Sequence, residues 1–113
     1  LEVKKGGVFL QECTVFNSDI RGFTRMSEGT PADVVIDVLN QYFEEMVETI
    51  FKYEGTLDKF MGDGIMAFWG APVAHPDDPI RSVACALDQM HTLQRFNERL
   101  EADKGISLSV GIG

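Results

Sequence analysis

Two aspartates have the surroundings that cation chemistry needs. Asp19 lies in Ser18-Asp19-Ile20-Arg21-Gly22-Phe23-Thr24, and Asp63 lies in Lys59-Phe60-Met61-Gly62-Asp63-Gly64. Each adjoins a β-like run and has a glycine close by that lets backbone approach a ligand. Carboxylates are hard oxygen donors, so if these two meet in space they can hold Mg2+ or Mn2+ against a nucleoside triphosphate. Without a cation they would repel one another unless solvated or sharing a proton. The metal-free alternative is that Asp63 makes a hairpin turn and Asp19 caps the helix that follows it. Backbone amides around Gly22, Phe23 and Thr24, at the start of a helical segment, are suited to a terminal phosphate.

The elements that must position this pair can be read from periodicity. Alternation over Glu12 to Ser18 predicts a first strand with Asp19 at its C-terminal end, and a short helix is expected around Thr24 to Glu28. Thr30 as N-cap and Pro31 at N1 open a long helix. Its apolar face runs through Val35, Leu39, Tyr42, Phe43, Met46, Ile50 and Tyr53, and Gly55 stops it. Thr56 to Phe60 and Ile65 to Trp69 form a hairpin around Met61-Gly62-Asp63-Gly64. Asp78 as cap and Pro79 at N1 open a second long helix, with Ile80, Val83, Leu87, Met90, Leu93 or Gln94, and Leu100 on its buried side. Lys104-Gly105 ends that helix, and Ile106 to Ile112 alternates as a last strand. Leu1 to Gly7 reads as a linker, and Val8 to Gln11 is a further strand start.

This order is an α+β, ferredoxin-like βαββαβ core, an antiparallel sheet with helices on one face. Right-handed crossovers set the first and third strands side by side at the centre of the sheet. The end of the first, at Asp19, then adjoins the beginning of the third, at Asp63. Topology alone is expected to bring the carboxylates together.

Composition narrows the partners. The chain has 113 residues, enough for one modest core, and a net charge of −8, which excludes the basic surface that nucleic-acid binding requires. An acidic protein can still bind a nucleotide where metal ions reverse the local field. Cys13 and Cys85 are too few and too far apart for a zinc site or a disulfide framework, and both are expected to be buried as small hydrophobes. No signal peptide, lipidation motif or membrane-length apolar run is present, so the expected location is the cytoplasm, for this chain or for the cytosolic part of a larger protein. His75 and His91 are isolated, and Arg21 and Arg25 read as surface residues, with phosphate steering as the alternative.

Thr14 to Glu28 and Lys59 to Gly70 resemble the two signature stretches of the class III nucleotidyl cyclase catalytic domain, and Asn40-Gln41-Tyr42-Phe43 also matches. The likeness runs from about Gly7 to Gly113. It implies one catalytic domain over residues 1–113, with 1–7 as linker, that converts a nucleoside triphosphate to its 3′,5′-cyclic monophosphate and pyrophosphate. It implies two Mg2+ or Mn2+ ions at Asp19 and Asp63 with the Ile20 carbonyl as a further ligand, and a phosphate cradle at Gly22, Phe23 and Thr24. Lys59, four residues before Asp63, matches the base-reading position, and a lysine there resembles adenylate cyclases, with ATP as substrate. An ammonium donates to an adenine ring nitrogen, whereas a carboxylate would accept from guanine. Sites in this family are shared between chains, which implies a head-to-tail homodimer. Regulatory domains are expected in the same full-length chain.

Two departures stand out. Asn17 occupies a position where the family usually carries a bulky apolar residue, and a buried asparagine in a central strand would cost about 1–3 kcal/mol without a partner. The family also continues beyond the point matching Gly113, with further base, ribose and phosphate contacts. The chain is therefore expected to be a fragment that lacks turnover by itself. The other readings are a guanylate cyclase, a non-catalytic cyclase-like module for dimerisation or regulation, and a diguanylate cyclase or polymerase-palm relative, which the motifs fit poorly.

Overall fold

Alternation along the first strand sets the architecture. In the computed structural model, which describes residues 12–113, β1 runs Thr14–Arg21 and buries Phe16, Ser18 and Ile20 while exposing Val15, Asn17, Asp19 and Arg21. It is followed by α1 (Phe23–Glu28), α2 (Ala32–Lys52), β2 (Thr56–Met61), β3 (Gly64–Trp69), α3 (Asp78–Lys104) and β4 (Ser109–Ile112). The strand order is β2-β3-β1-β4, and every pairing is antiparallel. The expected βαββαβ order and the central β1–β3 pair are both present. The expected linker and the strand start at Val8 to Gln11 lie outside the described residues.

The core fills one side of the sheet. Phe16, Ile20, Ile65, Ala67 and Trp69 meet Val38, Tyr42, Met46 and Ile50 of α2 and Cys85, Leu93, Phe96 and Leu100 of α3. The Phe16 and Trp69 rings meet edge to face at 6.0 Å, and Trp69 Nε1 donates to the Tyr53 carbonyl at 2.8 Å.

Several boundaries differ from the sequence reading for identifiable reasons. β1 extends past Asp19 because β4 pairs with it as far as Arg21. Pro31 is the N-cap of α2 rather than its first turn, and Asp77 rather than Asp78 caps α3. The left-handed residue that ends α2 is Glu54, at φ 63°, not Gly55. Gly55 serves a packing need instead, since a Cβ there would lie 2.5 Å from the Trp69 ring. β4 starts at Ser109, later than expected, because the Asn97 side chain takes both backbone groups of Leu108, each at 2.8 Å. Cys13 is exposed; only Cys85 is buried. Asn17 points to the open face and is exposed, so the anticipated desolvation cost does not arise.

The buried side of α3 is the largest correction. Ile80, Val83, Leu87 and Met90 are all exposed, Ile80 by 71%. The inward stripe is Ser82, Cys85, Gln89, Leu93, Phe96 and Leu100. Its first half is small or polar because it lies against the α2 backbone: Gln89 Nε2 donates to the Met46 carbonyl at 3.1 Å, and Cys85 Sγ is 3.8 Å from Thr49 Oγ1.

Candidate active site

Asp63 is delivered by the β2–β3 hairpin, whose two-residue turn needs a positive φ of 61° at Gly62. Gly64 then passes so close to β1 that a Cβ would lie 3.2 Å from the Ser18 carbonyl oxygen. The β1–β3 pairing ends at Ser18 and Ile65, leaving the next amide on that edge of β1 without a strand partner. Asp63 supplies it: Oδ2 accepts the Ile20 backbone N–H at 3.0 Å. The turn carboxylate is thereby tied to the strand that carries Asp19, and its position is set by backbone.

Asp19 and Asp63 line one cleft of about 490 Å³, together with Asn17, Arg21, Met61 and Gly111 to Gly113 at the end of β4 and just past it. The expected convergence of the two carboxylates is therefore present. Among the described residues no group of three or more His, Cys, Asp or Glu side chains is placed to hold a metal. The donor set is two carboxylates open to water, which fits Mg2+ or Mn2+, ions that keep water and phosphate oxygens as ligands, and does not fit zinc.

The remaining expected residues are placed differently. Gly22 takes φ 67° at the end of β1 and is the N-cap of α1, where its carbonyl accepts the Met26 N–H at 3.0 Å. Phe23 and Thr24 open that helix, and none of the three lines the cleft. Lys59 is exposed on the edge strand β2, beyond a register shift between Leu57 and Lys59, and also lies outside the cleft. Arg21, exposed as expected, lines it as well. The Gly111–Gly113 wall was missed because a β4 partner for Asp19 cannot be read from motif spacing. The alternation of small residues with Ile106, Leu108, Val110 and Ile112 was its one visible sign.

Beneath the cleft, the Ser18 and Tyr42 hydroxyls are buried on the core side, beside one another and with no further hydrogen-bond partner in the protein. Burial pushes the Tyr42 hydroxyl up to about 12, and the nearby Asp63 and Asp19 carboxylates add to the rise, while the Ser18 hydroxyl beside it acts in the opposite direction.

A family model described as the adenylate and guanylate cyclase catalytic domain matches residues 9–113. The chain belongs to this family. The cyclase domain is 36% identical over 92 residues to Adenylate cyclase 1 of Rhizobium meliloti, covering 81% of this chain and 14% of that protein. Among solved structures it is similar to the adenylyl cyclase CyaB from P. aeruginosa (TM-score 0.87, 35% identity, 91% of this chain and 54% of that one). It is also similar to the guanylyl cyclase Cya2 (TM-score 0.85, 42% identity, 89% of this chain and 51% of that one). The cyclase domain thus spans about half the length of these solved relatives. No helix among the described residues is long and apolar enough to cross a membrane.

Proposed function

We propose that this cyclase domain belongs to an adenylate cyclase that converts ATP to 3′,5′-cyclic AMP and pyrophosphate. The observation that carries the reading is the single cleft shared by Asp19 and Asp63, with Asp63 fixed through the Ile20 amide. In this reading Asp19, Asp63 and the Ile20 carbonyl hold two Mg2+ or Mn2+ ions. Bound there, the ions supply Lewis acidity to the ribose 3′-hydroxyl and neutralise charge on the triphosphate. The protein contributes placement. Asp63 is preorganised by its backbone hydrogen bond, and the left-handed Gly22 turns the chain from β1 into α1, whose first amides, at Phe23 and Thr24, would cradle phosphate in this reading.

Lys59 stands outside the cleft on an exposed edge strand, which favours its reading adenine in the site of a second protomer. The proposed assembly is accordingly a head-to-tail homodimer with two sites, attached to regulatory domains in the full-length chain and acting in the cytoplasm. A guanylate cyclase is the second reading, favoured by the higher identity to Cya2. The test is an assay of the full-length protein with ATP and with GTP in the presence of Mn2+. Cyclic AMP is expected as the main product, and Lys59→Glu is expected to lower ATP turnover at least about tenfold and to favour GTP, because a carboxylate cannot donate to the adenine nitrogen. Cyclic GMP as the main product of the parent protein would establish the second reading. The absence of both products would return the domain to a non-catalytic module.

A further inference from the structure

Arg21 is two residues beyond Asp19 on the same, open side of β1. Asp19 pairs with Gly111 of β4, and Arg21 pairs with Ser109, so Gly111 is the diagonal neighbour of Arg21 and within reach of a long side chain. A Cβ placed on Gly111 would lie 3.0 Å from Arg21 Nε, 3.2 Å from its Nη2 and 3.3 Å from Asp19 Oδ1. The guanidinium and the Asp19 carboxylate therefore both border the space over Gly111. The absence of a side chain at 111 makes room for both. The cleft thus contains two carboxylates and, near one of them, a positive charge supplied by the protein that makes no direct ion pair with it.

We propose that Arg21 is a resident counter-charge close to Asp19 that opposes the binding of a divalent cation to this carboxylate. The proposal rests on the reading of Asp19 and Asp63 as cation ligands. A guanidinium cannot shed its charge by losing a proton, so its repulsion with an arriving cation is relieved only by movement. Arg21 is exposed and carries a long side chain, so it can move. Arg21 thereby raises the concentration of free cation needed to fill the cleft.

The test is Mn2+ binding to the full-length protein without nucleotide, followed by electron paramagnetic resonance of the free ion at fixed ionic strength. Arg21→Gln is expected to tighten Mn2+ binding about two- to fivefold, the scale of one exposed charge–charge interaction. Arg21→Lys, which keeps the charge, should stay nearer the parent. Arg25→Gln removes a charge from α1, outside the cleft, and reports the general effect of net charge. Unchanged or weaker Mn2+ binding in Arg21→Gln, or an equal gain in Arg25→Gln, would overturn the proposal. Asp63→Asn separates the two levels. If it abolishes Mn2+ binding while Arg21→Gln has no effect, only the role of Arg21 falls. If Asp63→Asn leaves Mn2+ binding intact, the cation site itself falls, and the proposal with it.

Discussion

The two sides of β1 divide the labour of the domain. Phe16, Ser18 and Ile20 face the helices and are almost fully buried, whereas Asn17, Asp19 and Arg21 face an open cleft. Residues one position apart therefore answer to different constraints: volume and contact on one side, charge and access on the other. A strand with this division can change its chemistry without changing its fold, provided the register holds. β4 helps to hold that register, and just past its end Asn17 and Gly113 exchange backbone hydrogen bonds of 2.8 and 2.7 Å.

The sharpest way to break the comparison is to strip the open side. Asp19→Ala is expected to lower cyclase activity of the full-length protein at least about a thousandfold while changing stability by less than about 0.5 kcal/mol. Activity assays with chemical denaturation check both halves of that statement, and a large loss of stability would show that the two sides are not separable. On the buried side, Phe16→Ala is expected to cost about 3–5 kcal/mol, read as a fall in the urea midpoint at unchanged slope.

The boundary between the sides is Tyr42, whose hydroxyl lies under the carboxylates. Its folded pKa, about 12, exceeds the ordinary value of 10.0, so the folded state retains its proton longer than the unfolded chain. The Tyr42 contribution is fully present below pH 10 and is lost as pH rises toward 12, a loss of about 2–3 kcal/mol. Denaturation across that window should show a shallower alkaline decline in Tyr42→Phe than in the parent. The smallest effect is expected at Asn17. Asn17→Phe should alter stability by less than about 0.5 kcal/mol, since the side chain is exposed, and a cost above about 2 kcal/mol would place it in packed surroundings.

Much of this organisation was legible in the residues. The motifs around Asp19 and Asp63, the βαββαβ order and the adjacency of β1 and β3 follow from alternation, helix periodicity and crossover handedness. The face of α3 did not follow. Its inward residues in the first half are Ser82, Cys85 and Gln89, while the apolar stripe of Ile80, Val83, Leu87 and Met90 is stronger in sequence and faces outward. Hydrophobic periodicity detects burial of apolar surface and is blind to a close helix pair that needs small side chains and one amide-to-carbonyl hydrogen bond. Arg21 is exposed, as the sequence implies, but its place in the cleft depends on Gly111, 90 positions later, and on a strand register that only the assembled sheet reveals.

Trp69 is the sole tryptophan of this chain, sealed against Phe16 and Gly55 with its indole N–H bonded to a carbonyl. That location makes it an internal optical reporter. Its emission should be that of a dry, fixed indole and should shift to the red when the core takes in water. Cation titrations at the cleft, on the other side of the sheet, should leave it nearly silent. Fluorescence and cation binding can thus be followed in one sample as two independent signals, one for each side of the sheet.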